Sequence, residues 1–380
     1  MLRTPLFAAH KQLGGRLIEF GGWEMPVQYT SIVDEHLAVR KAAGLFDISH
    51  MGEVDITGNS ALEFLNRTLT NDARKLAVGE GQYTLMCNEN GGVIDDLYLY
   101  RIGEQHFLLI INASRIQPDV QWLERQLAGF EKRDHVSLQN VSDRFGAVAV
   151  QGPKVTEFID QALPGVSESG MRVPSVSLLK KNQIGGFHFG KETVYVARTG
   201  YTGEIGFEIV APNESLVPIW ERLLAVGKAS GLQPAGLGAR DTLRTEMGYP
   251  LYGHELDEQT TPIEAGVGFF VSLDKGDFAG RSILAAQKAG DLKKKLIAFK
   301  MTDRSAPPRP HYPIWSSGSD ARKVGEVVSG TQSPSLGVGI GLGYVPPEFS
   351  KTGTTVEIEI RGRRAPALVA SKPFYKPNEN

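Results

Sequence analysis

Two rhythms of apolar positions run along the chain, and each points to a different element. Ile32, Val33, Leu37 and Ala38 fall at helical spacing, which predicts a helix over Ile32–Ala43 that ends near Gly44. Val93–Ile102 and His106–Asn112 are rich in β-formers and are separated by Gly103-Glu104-Gln105, the pattern of a hairpin. A helix follows around Pro118–Leu127, then a strand at Ala147–Val150 before the turn residues Gln151-Gly152-Pro153. Val194–Arg198 and Gly206–Val210 read as a strand pair. Ala239, Leu243 and Met247 recur at helical spacing and predict a helix over Gly236–Gly248. Pro307, Pro308, Pro310 and Pro313 mark Asp303–Pro313 as a linker. Beyond it, short strands at Lys323–Val328, Val338–Tyr344, Thr355–Ile360 and Pro366–Ser371 suit a small all-β barrel or sandwich.

A chain of 380 residues exceeds what one core usually serves, so two or three domains are expected. The 41% hydrophobic and 22% charged content belongs to a globular protein, with disorder expected only at ends such as Lys376–Asn380. A net charge of −2 argues against a general nucleic-acid binder. With Cys87 as the sole cysteine there is no intramolecular disulfide and no Cys-based zinc site, and a reducing compartment fits. The eight histidines are scattered without metal-binding spacing, so no metal is expected. The N-terminus lacks the zones of a signal peptide and no apolar run is long enough for a membrane span. With Met1 as the native start, the expected location is cytoplasmic.

Three segments carry candidate chemistry. In the first hairpin strand, Asp96, Tyr98 and Tyr100 share one face and Asp95, Leu97 and Leu99 the other. Two aspartates inside a strand are a local conflict, which marks either a functional site or a hydrated outer face. Asp95, on the other face, is expected to matter less than Asp96. The second segment, Arg198 to Val210, packs Gly200, Gly203 and Gly206 into seven residues, a tight turn or a close backbone approach. Glu208 follows on a strand, where a carboxylate can accept two parallel hydrogen bonds from a flat, guanidine-like ring edge or simply face solvent. The third, Pro234 to Glu246, leads through glycines into a helix with Arg240 near its start, either an anion site or a helix start with ordinary ion pairs.

Other signals are weaker. The glycine run Gly337 to Gly343 lacks dinucleotide-binding spacing and reads as a strand with close neighbours. Cys87 reads as a small buried apolar residue, and Lys293-Lys294-Lys295 as a solvated face.

Taken together, these segments closely resemble the T-protein (aminomethyltransferase) family of the glycine cleavage system. The resemblance runs through Thr4-Pro5-Leu6, Phe20 to Pro26, Phe46 to Gly52, Asn90 to Asp96, Arg198 to Glu204, Gly236 to Asp241 and Lys372 to Tyr375. It implies an α+β, three-domain, cloverleaf-like folate-binding fold with a C-terminal all-β barrel domain. The implied parts are residues 1–50 plus 140–280 for folate, 51–139 for the catalytic hairpin and 290–380 for the barrel. It implies transfer of a one-carbon unit from the aminomethylated lipoyl arm of a partner H-protein to tetrahydrofolate, with release of ammonia and no membrane or nucleic-acid partner. By position, Asp96 resembles the family's catalytic carboxylate and Glu208 its pterin anchor. Tyr83, Tyr100, Asn112 and Tyr201 resemble pocket walls or hydrogen-bonding groups, and Arg240 a folate-side anchor or a partner of Glu208. A C-terminal contribution through Lys376 is a further expectation. The same superfamily holds folate-dependent demethylases, flavin-fused sarcosine or dimethylglycine dehydrogenases and non-catalytic iron–sulfur repair proteins. No dinucleotide fingerprint supports the second, and the sole cysteine lies outside the motif of the third.

Overall fold

In the computed structural model, residues 1–377 are described; most of the tail expected to be disordered, residues 378–380, lies outside them. The chain divides into two compact units, Met1–Met86 with Asp95–Arg240, and Cys87–Ile94 with Asp241–Asn380. The fold mixes helices with sheets, and the C-terminal part closes into a barrel.

The first unit holds two main sheets. Seven strands build the larger one, in the order Ser169–Gly170, Ile184–Phe189, Glu192–Ala197, Gly206–Pro212, Phe145–Gln151, Ala43–Asp47 and Leu232–Pro234. Its apolar face, including Leu45, Val148, Val150, Phe207 and Ile209, buries against Trp220 and Leu223 of the helix Asn213–Gly227. The second sheet orders five strands as Glu80–Cys87, Val93–Gly103, His106–Ile111, Gly52–Thr57 and Ser137–Asn140. Its central hairpin is the one expected from the sequence. Tyr100, Ile102 and Leu108 of this sheet pack against Ile184 and Ala197 of the larger one, so the two β-layers share a core. That contact brings the Asp96/Tyr98/Tyr100 face close to the Arg198–Gly206 turn.

The helix expected to run to Ala43 stops at Lys41, and Ala43–Asp47 is instead a fully buried strand. Ser31 caps that helix by accepting from the Asp34 amide. Gly44, expected to end it, sits in the strand, where a Cβ would strike Val39. The Arg16–Phe20 and Trp23–Gln28 strands form a separate hairpin turning at Gly21-Gly22, both in the left-handed region.

In the second unit six strands close a barrel in the order Lys295–Met301, Gly339–Val345, Lys323–Gln332, Pro313–Ser316, Thr355–Ile360 and Arg363–Ala370. Phe299, Ile314, Val327, Val356, Ile358 and Val369 fill it. The glycine run is a barrel strand with close neighbours, since a Cβ on Gly341 would run into the Phe299 ring. The lysine run is not wholly a solvated face. Lys294 is half-buried, donates to Thr260 Oγ1 at 2.8 Å and lies 4.8 Å from the Tyr344 ring centroid.

Candidate functional site

Asp96 projects from the strand Val93–Gly103, and its carboxylate is held on both oxygens. Tyr83, from the neighbouring strand Glu80–Cys87, donates its hydroxyl to Oδ2 at 2.8 Å. Asn112, at the end of the partner strand, donates its amide nitrogen to Oδ1 at 3.0 Å. Burial and the charge of Asp95 together push Asp96 up to about 7, while the bonds from Tyr83 and Asn112 pull the other way. A carboxyl so placed exchanges a proton near neutral pH.

Asp95 does lie on the opposite face, but it is not a bystander. Its two oxygens accept from Asn112, one from the backbone N–H at 2.9 Å and one from the side chain at 2.8 Å. Asn112 therefore ties the two aspartates together across the strand. Both are shielded from bulk water, Asp95 fully, so the hydrated-face reading of this strand does not hold.

A second cluster forms around Glu208. Thr199 donates to Glu208 Oε2 at 2.6 Å and shares a 2.8 Å hydrogen bond with the Tyr100 hydroxyl. Burial raises Glu208, against the lowering effects of Thr199 and the Arg240 guanidinium. Arg240, in the first turn of the helix Leu237–Met247, lies 4.6 Å from the Tyr201 ring centroid. The ordinary ion pairs of that helix fall instead to Arg244, which meets Asp241 at 2.8 Å and Glu255 at 2.9 Å.

Local sequence explains the glycine-rich turn. Gln151 stitches it from within, donating to the Thr199 carbonyl at 3.1 Å and accepting from Thr202 Oγ1 at 2.9 Å. A side chain at Gly200 or Gly206 would occupy the space of the Gln151 amide, so both positions need glycine.

The two clusters adjoin, because Tyr83, bonded to Asp96, also lies close enough to Tyr201 for the two phenols to influence each other's ionisation. Asp96, Tyr83, Asn112, Tyr201, Arg240, Glu208 and Tyr100 thus fall into one connected set within the first unit. Sequence reasoning passed over four neighbours that hold this set. The Arg198 to Val210 segment does not single out Thr199, and Tyr98 reads only as a face-mate of Asp96. Tyr98 stacks on Tyr100 with centroids 4.9 Å apart and donates to Asn182 Oδ1 at 2.6 Å. Asn182 is held at φ +66°, a left-handed non-glycine position that could have been suspected only from its asparagine. Asp119 carried no local signal at all. Lys376 is exposed and belongs to the second unit. Cys87 is buried, and burial pushes its thiol up, away from nucleophilic chemistry.

Among the described residues no group of His, Cys, Asp and Glu is arranged to hold a metal ion, and no helix is long and apolar enough to cross a membrane.

Comparison with known proteins adds a second line of observation. Residues 6–275 match the GCVT N-terminal domain family, and residues 294–376 match the glycine cleavage T-protein C-terminal barrel domain. An aminomethyltransferase of Bacillus cytotoxicus is 47% identical over 375 residues, covering 98% of each chain. One of Thermoanaerobacter pseudethanolicus is 44% identical over 383 residues, covering 99% of this chain and 98% of the other. Among solved structures, the glycine cleavage system aminomethyltransferase T of Bartonella henselae superposes with a TM-score of 0.88 at 32% identity, covering 99% of this chain and 98% of that one.

Proposed function

The chain belongs to the glycine cleavage T-protein family of aminomethyltransferases, and on that premise we propose that tetrahydrofolate is its acceptor and the lipoyl arm of an H-protein its donor. In the balanced reaction the aminomethyl carbon loses its bonds to sulfur and to nitrogen. It gains bonds to the two folate nitrogens, giving 5,10-methylenetetrahydrofolate. The two protons lost from those nitrogens go to the sulfur and to the departing ammonia, and nothing is oxidised or reduced.

The observation that carries this reading is the adjacency of two differently tuned carboxylates. Glu208, beside Arg240, has one oxygen engaged by Thr199 and is suited to grip the donor edge of a pterin ring. Asp96 stands at the other end of the set, with its proton affinity near neutrality, and is suited to orient the reacting nitrogens and to stabilise an iminium-like carbon. Tyr83 and Asn112 fix Asp96, while Tyr100 and Tyr201 supply aromatic walls. Lipoate and folate bring the reactive atoms, and this chain's contribution is position and charge.

The functional division proposed is a folate part (1–50 plus 140–280), a hairpin part (51–139) and the barrel (290–380). The separate seven-stranded and five-stranded sheets and the closed barrel support it, although residues 241–280 cluster with the barrel unit. A cytoplasmic setting goes with this assignment. The direct test mixes the protein with lipoylated H-protein, a source of glycine decarboxylase and tetrahydrofolate, and assays methylenetetrahydrofolate. Inactivity there, with demethylation of a small methoxy or methylthio donor instead, overturns the donor assignment.

A further inference from the structure

We propose that Asp119 is a positioning residue for this reaction: it carries a proton, donates it in a hydrogen bond to Asp95, and thereby fixes the Asp95–Asn112 pair that orients Asp96. The proposal rests on the reading of Asp96 given above.

Asp119 lies in the first turn of the helix Ile116–Ala128, which follows the strand end that carries Asn112. It is 0% exposed, and neither of its oxygens receives a hydrogen bond from a conventional donor among the described residues. Arg115 Nε lies 3.7 Å from Asp119 Oδ1, an ion-pair distance that makes no hydrogen bond. Its carboxyl lies within side-chain hydrogen-bonding reach of the Asp95 carboxyl once one of the two carries a proton. Two buried carboxyls in contact cannot both stay ionised, so one proton is shared between them. The donors decide where it sits. Asp95 accepts two N–H bonds from Asn112, which favour its charged form, and Asp119 accepts none. The proton therefore rests on Asp119, whose O–H completes a third bond to Asp95.

The charged and titratable groups facing these carboxyls fit that assignment: Arg115 favours the charged form of Asp95, and burial raises Tyr83 with the charge of Asp95 adding to it. Asp119 faces Asp95 and Asp96 from the strand and Arg115 from the start of its own helix; burial and the charge of Asp95 both push it up. Asp96 faces Asp95 on its own strand and the Tyr83 hydroxyl on the next, and the charge of Asp95 helps to raise it. The neutral Asp119 thus lets Asp95 keep its charge, and that charge adds to burial in raising Asp96.

The test uses the full-length protein with aspartate carboxyls labelled with carbon-13, titrated by NMR, alongside pH profiles of kcat and KM for transfer. In the wild type, the Asp119 carboxyl should stay protonated through neutral pH. Asp119→Asn keeps a donor to Asp95, so the Asp96 midpoint should hold and transfer should stay within a few fold. Asp119→Leu removes the donor, so Asp95 takes up the proton itself. The Asp96 midpoint, and with it the acid limb of the kcat profile, should then fall by about one pH unit, while the plateau kcat above it should drop roughly tenfold with KM little changed, because the Asp95–Asn112 pair no longer orients Asp96. An ionised Asp119 in the wild type at pH 7 overturns the proposal, and that measurement needs no variant to fold. An Asp96 midpoint that moves equally in both variants, or in neither, also overturns it. An Asp96→Asn protein with full turnover would instead remove the catalytic reading of Asp96, leaving the Asp119 titration to be judged by itself.

Discussion

At the scale of single residues, burial is the main force that tunes this chain's carboxyls. Asp96 is the instance proposed to act in catalysis. Replacing it with Asn keeps the shape and removes the charge, so turnover should fall roughly 10²-fold or more in a folded protein. Near-normal turnover would end its catalytic assignment. Asp96 is raised to about 7, so if it works ionised as proposed, kcat should decline as pH drops below that point and level off above it. A profile flat from pH 6 to 8 would contradict this. Glu53 is a structural instance. It is 0% exposed on the strand Gly52–Thr57, neither carboxylate oxygen has a hydrogen-bond partner among the described residues, and burial raises it to about 8. The folded state holds this proton and the unfolded chain, titrating at about 4.3, releases it. Stability contributed at this site is therefore lost as pH rises from about 4.3 to about 8. Glu53→Gln does not titrate, so its stability relative to wild type should improve by about 1–3 kcal/mol between pH 5 and pH 8. Urea denaturation at the two pH values measures this, and a difference that does not change with pH refutes it.

At the scale of elements, the site is a meeting of one hairpin with one turn. Thr199 joins them, since it holds Glu208 on one side and Tyr100 on the other. Thr199→Val keeps the volume and deletes both bonds. Tetrahydrofolate should then bind about three- to tenfold more weakly by calorimetry, the scale of one or two net hydrogen bonds. Unchanged affinity would show that Glu208 needs no support from Thr199. The hairpin was legible in the sequence because two-residue alternation survives in isolation: the spacing that groups Asp96 with Tyr98 and Tyr100 is visible without any partner strand. The turn was half legible. Its glycines announced a close approach, but the group approached, Gln151, lies far away in the chain. Asp119 was not legible, because an aspartate near a helix start is ordinary and its partner sits on another element. The first barrel strand was hidden because Lys295 opens it, and the second because Pro313 does, in a stretch whose prolines read as linker.

At the scale of the whole molecule, the remaining question is how the proposed partner-borne arm would be received. A tethered donor needs only a transient contact, for which charge complementarity counts more than a large apolar patch. The sequence holds three basic clusters, Lys180-Lys181, Lys293 to Lys295, and Arg361, Arg363 and Arg364. Lys294 is engaged with Thr260 and Tyr344, and Arg364 lies 3.8 Å from the Trp315 ring centroid, so one residue in each of these two clusters is tied to the barrel unit. Lys180 and Lys181 are exposed and belong to the same unit as Asp96. They immediately precede Asn182, which accepts the Tyr98 hydroxyl, so this pair sits at the edge of the candidate site. If an acidic H-protein docks there, Lys180→Glu combined with Lys181→Glu should lower kcat/KM for transfer roughly tenfold at low salt, with tetrahydrofolate affinity retained. The gap from wild type should narrow as salt rises, because screening weakens steering in wild type as well. Equal transfer rates at low salt would reject this surface. Loss of folate affinity in the double variant would mean that the lysines act on the pocket and not on the partner.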